Sequence, residues 1–219
     1  MNIQYYGHSC FKITTKPEGR GAEDISLFID PFEKEVGLKP PQGQADIVLI
    51  SHGHFDHNNT SSLKGEPVII NTPGEFAVKG LHIIGLDTFH DKSEGAERGR
   101  NTVFIIETED LRICHMGDIG TEPTPEQLDE IGEVDVLMIP VGGTFTLDGK
   151  EAMKLVHKIE PKTVIPMHYK TKDSKISDIQ DEKEFCDEMG NCPKEKINKI
   201  TLKKKDSEEK GMEIVLMTA

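Results

Sequence analysis

Ser51 to His57 reads SHGHFDH and follows the apolar run Ile47, Val48, Leu49, Ile50. An Asn/Thr/Ser-rich segment, 59–64, comes next and has the character of a helix start. Three histidines and an aspartate within six positions, at the exit of a buried strand, are hard to account for by packing. Imidazoles two residues apart on extended backbone point to one side and can grip one cation. Asp56 and His57, at the turn into the helix, are aimed differently, so one motif can serve two adjacent cation positions. Imidazole and carboxylate suit zinc, manganese and iron alike, and donor type alone leaves the metal open.

Working outward, short β-rich runs bounded by Gly, Pro, Asn and Asp fall at 2–6, 10–14, 26–29, 47–51, 67–71, 81–87, 102–108, 112–115, 134–140, 163–167, 199–204 and 213–216. Helical patterns are fewer, at 59–64, 125–131, 149–160 and 179–189. Strands dominate the first half, and a strand-then-helix rhythm takes over from Arg112. Many strands with a few covering helices predict an α/β arrangement, two packed sheets with helices outside them, formed by one domain over 1–219. The stretch 91–100, DKSEGAERGR, reads as an exposed loop between two strands.

The chain has 39 acidic and 26 basic residues, a net charge of −13, which disfavours nucleic acid as a partner. The one basic run, Lys203 to Lys205, reads as the solvated face of an edge strand. Apolar runs of about four residues fall far short of the roughly 20 that span a bilayer, and no signal pattern opens the chain. A cytoplasmic protein is expected, with Cys10, Cys114, Cys186 and Cys192 as free thiols. Uncovered strand edges leave a homo-oligomer open.

The motif His52, His54, Asp56, His57 resembles the H-x-H-x-D-H signature of the metallo-β-lactamase-fold superfamily. The resemblance extends over essentially the whole chain and implies a four-layer αβ/βα sandwich. TPGEF (72–76), RGRNTVF (98–104), PVGGTFTLD (140–148) and IPMHYKT (165–171) are similar to the branch that includes ascorbate-6-phosphate lactonases and their uncharacterised relatives. Family members supply three further ligands from later strand ends. Asp118 in CHMGDIG corresponds to the bridging aspartate and His168 in VIPMHYKT to the last histidine. For the middle histidine, His90 at the end of the run from Leu81 holds the family position, with His115 as the rival. The resemblance thus implies one cation on His52, His54 and His90, a second on Asp56, His57 and His168, and Asp118 between them. Zinc is expected first, two per chain, with manganese or iron behind it.

Such a pair implies hydrolysis of a small polar substrate by a hydroxide shared between the cations, with Asp56 and Asp118 as the catalytic carboxylates. Ester, lactone, amide, thioester and phosphodiester bonds stay open. A small-substrate phosphodiesterase or nuclease, or a non-catalytic metal-binding module, is the alternative. Only 50 positions separate Asp118 from His168, which leaves no room for the extra domain of β-CASP nucleases. Asp30 in LFIDPF and His8 in YYGHSCFKI match family elements expected behind or beside the ligands, and His115 would join them. Arg98, Arg100 and Lys170 flank His90 and His168 and are candidate receivers of an anionic group.

Overall fold

Apolar side chains that alternate along a strand can bury one face, and two such faces packed together remove both from water. The computed structural model of the chain, which describes residues 1–17, 23–204 and 211–219, is built on this device twice over. In chain order the strands are β1 (Asn2–Gly7), β2 (Cys10–Thr15), β3 (Ile25–Ile29), β4 (Gly43–Gln44), β5 (Ile47–Leu49), β6 (Leu63–Lys64), β7 (Val68–Ile70) and β8 (Gly74–Val78). They continue with β9 (Leu81–Phe89), β10 (Arg100–Thr108), β11 (Leu111–His115), β12 (Val136–Pro140), β13 (Thr163–Met167), β14 (Lys199–Thr201) and β15 (Glu213–Ile214). The helices are α1 (Pro125–Ile131), α2 (Gly149–Ile159) and α3 (Lys183–Met189).

One sheet runs β14-β1-β2-β3-β5-β7 and the other β15-β13-β12-β11-β10-β9-β8. Ile3, Tyr5, Phe11, Ile13, Leu27 and Leu49 of the first meet Ile83, Phe104, Ile106, Ile113, Met138 and Ile165 of the second in one continuous core. At about 1.5–3 kcal/mol per buried large apolar side chain, this middle layer is the main source of stability. The opposite face of the second sheet, through Val103, Ile105, Leu137 and Ile139, is covered by Ala152, Leu155 and Val156 of α2 and Phe185 of α3. This is the expected α/β sandwich with unequal cover: Phe28 and Val48, on the outer face of the first sheet, pack against Ala45 and Leu63 of the connecting segments.

Local chemistry accounts for the helix starts. Thr124 and Gln127, and likewise Asp148 and Glu151, form reciprocal capping boxes that fix the first turns of α1 and α2. At 59–64 the expected helix is reduced to a single 3₁₀ turn, Thr60–Ser62. There the Ser61 hydroxyl donates to Asn59 Oδ1 and the Ser62 hydroxyl to Asn59 O, while Leu63 and Lys64 pair with β4. The expectation of free thiols is corrected at two positions, because Cys186 and Cys192 form a disulfide. α3 ends at Gly190 in the left-handed region (φ 72°), which turns the chain back so that the two Cα atoms lie 5.3 Å apart. Cys10 and Cys114 are free and buried. Of the lysine run, Lys204 reaches the Asp135 carboxylate, and Lys205 lies outside the described residues. Among the described residues no helix is long and apolar enough to cross a membrane.

Strand direction gathers the chemistry. β3 and β5 are parallel, as are β11, β12 and β13. β9 and β11 each pair antiparallel with β10 and so run the same way. Asp30, the motif from Ser51, His90, the Gly117-Asp118 turn and His168 all leave the C-terminal ends of these strands, at one rim of the sandwich.

Candidate metal centre

The motif itself is a series of bends closed by a hydrogen bond from His57 N to His54 O, 3.0 Å, rather than the extended backbone expected. His52 and His54 still face one another, their ring centroids 4.5 Å apart. The turn also brings His57, fully buried, beside them.

Around this turn the side chains converge on one carboxylate. Asp118 Oδ2 lies 3.0 Å from His168 Nε2, 3.2 Å from His57 Nε2, 3.4 Å from His90 Nε2 and 3.9 Å from His52 Nε2. Three donor sets each fall within a sphere that a single ion can fill: His52, His54 and His90; His52, His57 and Asp118; and His8, Asp56, His57 and His168. Asp118 therefore joins one histidine from each of the two sets expected from the sequence.

The outward nitrogens explain why the inner ones point where they do. His57 Nδ1 is 3.0 Å from Asp30 Oδ2, His90 Nδ1 is 2.9 Å from Phe145 O, and His52 Nδ1 is 2.9 Å from Ser51 Oγ. Ser51 Oγ gives its own proton to Asp30 Oδ2 at 2.7 Å, so toward His52 it acts as an acceptor. An oxygen acceptor at each Nδ1 places the ring proton there and leaves the Nε2 lone pair directed at the centre, the tautomer that binds a metal.

Buried, unpaired lone pairs facing a carboxylate are costly unless a cation lies among them. His52 Nε2 and His57 Nε2 are buried without a hydrogen-bond partner among the described residues. The residues present thus fit a divalent cation. Electrostatics agree: burial, with His57 next to it, pushes His52 down to about 2, which keeps it neutral. Burial alone would raise Asp118, but His168 and His57 hold its carboxyl well below the usual range. His57 shows the counterpart, its burial outweighed by the Asp118 and Asp30 carboxylates, which favour a positive charge at this point.

His8 lies at the rim of the centre, its Nε2 3.0 Å from Asp56 Oδ2 and its ring centroid 4.2 Å from that of His168. His8 O also accepts from His168 N at 2.8 Å, so one residue holds a side chain and a backbone of the site. His115 is placed apart from the converging atoms. Its Nε2 is 2.9 Å from Ser9 O, and its Nδ1 accepts from Gly117 N at 3.1 Å, which leaves neither nitrogen free. Arg100 pairs with Asp87 on the surface, and Lys170 is exposed with its Nζ 3.4 Å from Ser177 O. Arg98 lies over the Phe145 ring, 3.5 Å from its centroid.

Two supports were not singled out from the sequence. Asn101, fully buried, accepts from Asp118 N at 2.8 Å and donates to Met116 O at 2.9 Å, which fixes the turn that carries Asp118. Gly142 passes so close to His168 that a Cβ would overlap the His168 carbonyl oxygen. The thiols of Cys10 and Cys114 are buried, and burial pushes both up, the latter to about 12. Beside the converging ligands a cleft of about 200 Å³ opens, lined on its apolar side by Phe55, Phe145 and Ile176.

Comparison with known proteins follows the same line. The profile described as "Beta-lactamase superfamily domain" matches residues 2–168. A crystal structure from Thermotoga maritima, described as of the metallo-beta-lactamase superfamily, is 36% identical and superposes with a TM-score of 0.76 over 99% of this chain and 97% of that one. The chain belongs to the metallo-β-lactamase superfamily. Among its relatives, a UPF0173 metal-dependent hydrolase of Thermococcus onnurineus is 30% identical over 199 residues, 78% of this chain and 85% of the relative. One from Alkaliphilus metalliredigens is 32% identical over 200 residues, 78% and 86% of the two chains. This metallo-β-lactamase-fold chain is a metal-dependent hydrolase with candidate His/Asp metal-binding groups at the rim of its sandwich.

Proposed function

We propose that the chain is a binuclear hydrolase of small polar esters, lactones or phosphoesters. His52, His54 and His90 hold one cation, Asp56, His57 and His168 the other, and Asp118 is shared. The observation that carries this reading is the set of Nδ1 atoms tied to oxygens on His52, His57 and His90, with every Nε2 turned to Asp118 beside an open cleft. Zinc is the first choice of metal, supported by the zinc named in the description of the Thermotoga relative. Bound cations would supply Lewis acidity toward a carbonyl or phosphoryl oxygen and activate water near neutral pH.

The chain's own groups do the rest. Asp118 is kept ionised by the imidazoles around it and anchored through its backbone by Asn101. Asp56, partly exposed, is kept ionised by His57 and His8, which suits it to hold the second cation beside the cleft. The substrate is a small molecule, given a cleft of about 200 Å³.

The test is hydrolysis of 4-nitrophenyl acetate, a simple lactone and bis(4-nitrophenyl) phosphate by protein loaded with zinc, with manganese, or stripped by chelator. Turnover of at least one substrate, lost on stripping and regained on adding metal, is the expected result. Full metal content with no turnover on any of the three would favour the non-catalytic alternative.

A further inference from the structure

Directly after His90, Asp91 organises the polar loop that follows. Its Oδ1 accepts from Ser93 N at 2.8 Å and Gly95 N at 3.0 Å, and its Oδ2 from Glu97 N at 3.1 Å and Arg98 N at 2.7 Å. Four backbone donors on one carboxylate make this loop a built element, and the last of them sets the position of Arg98. The guanidinium carbon then lies over the Phe145 ring, 3.5 Å from its centroid, and the Phe145 backbone is itself held because its carbonyl is the partner of His90 Nδ1. One chain of contacts therefore ties Arg98 to a metal-centre histidine.

Arg98 also differs from the other cations near the cleft. Arg100 is neutralised by Asp87, and Lys170 is exposed and directed to a carbonyl. Among the described residues no carboxylate forms an ion pair with the half-buried Arg98, although it lines the same cleft as His90 and Asp118. A guanidinium stacked by one face on an aromatic ring keeps its in-plane N–H donors for a two-oxygen acceptor.

We propose that Arg98 is the recognition group for a carboxylate or phosphate carried by the substrate, and that Phe55, Phe145 and Ile176 receive the apolar part of the same molecule. The substrate class is a small amphipathic anion whose scissile bond lies beside the anionic group. Size agrees, because roughly 150 Å³ accommodates one benzene ring and the cleft offers about 200 Å³. This deepens the hydrolase reading and rests on it.

The test compares kcat/KM for 4-nitrophenyl acetate, which is neutral, with 4-nitrophenyl hydrogen succinate, which carries a carboxylate, on metal-loaded protein. In parallel, calorimetry measures binding of phenylphosphonate to the unchanged protein, Arg98→Ala and Arg98→Lys. The unchanged protein should prefer the anionic ester. Arg98→Ala should lower the anionic-to-neutral ratio about 10–100-fold and weaken phenylphosphonate by a similar factor, as for loss of a charge-assisted pair. Arg98→Lys should restore part of both, since it keeps the charge and loses the fork. Metal content should be the same in all three. A ratio and a phenylphosphonate affinity that Arg98→Ala leaves unchanged would overturn the proposal while sparing the hydrolase reading. Phenylphosphonate binding that depends on Arg98, with neither ester cleaved, would uphold the anion site and sink ester hydrolysis.

Discussion

His90→Ala removes one metal equivalent per chain and nearly all hydrolysis, whereas His115→Ala leaves metal content close to full. Both histidines are buried, so burial does not separate them. Geometry does: His90 Nε2 is 3.4 Å from Asp118 Oδ2 with its Nδ1 proton engaged by Phe145 O, and His115 has both nitrogens committed to Ser9 and Gly117. Losing an outer partner of a ligand costs about 10–100-fold in metal affinity or activity, so loss of the ligand itself should exceed that. His115→Ala instead orphans a buried carbonyl and a buried amide, and should lower stability by about 1–3 kcal/mol. Elemental analysis and chemical denaturation of the two variants decide the matter, and the reverse pattern would transfer the ligand role to His115.

Asp30→Asn should be the most damaging substitution outside the proposed ligands. The Asp30 carboxylate is fully buried and accepts from Ser51 N and Ser51 Oγ, each at 2.7 Å, and from His57 Nδ1 at 3.0 Å. Burial alone would raise its pKa, but the adjacent His57 carries it below the usual carboxylate value, so it is ionised. An amide cannot reproduce all three bonds: with its NH₂ toward Ser51 N two donors meet, and with its NH₂ toward His57 Nδ1 the ring must give up the Nδ1 proton that directs its Nε2 lone pair to the centre. Breaking a buried charged pair costs about 3–5 kcal/mol. The released His57 ring should also weaken metal binding by about 10–100-fold. Denaturant midpoints of the metal-free proteins and zinc titrations measure the two effects separately. A variant with unchanged midpoint and unchanged zinc affinity would show that Asp30 does not hold the site.

What was legible in the sequence follows from how local each signal is. His52, His54, Asp56 and His57 lie in six consecutive residues, so residue type and spacing single them out, whereas Asp118 and His168, each after an apolar strand, were reached through the resemblance to the family pattern. The contact of His8 with Asp56 joins residues 48 positions apart, and its existence depends on the turn that the motif makes. Asn101 was visible as part of RGRNTVF, yet its bond to Asp118 N needs the register between β10 and β11. The Phe145 carbonyl is a backbone group and has no residue-type signature at all. β8 escaped because Pro73-Gly74 reads as a turn and the strand alternates only weakly, with both Glu75 and Ala77 exposed. The Cys186 to Cys192 bridge depends on the left-handed residue Gly190, which a spacing rule for metal or redox cysteines does not register.

The central claim is that two cations share Asp118. Anomalous difference maps from crystals of the protein purified without chelator, recorded at the zinc, iron and manganese edges, test it most directly. Two peaks flanking the Asp118 carboxylate are predicted, one contacted by His52, His54 and His90 and the other by Asp56, His57 and His168. A single peak, or a cation contacted by His115 in place of His90, would contradict the account.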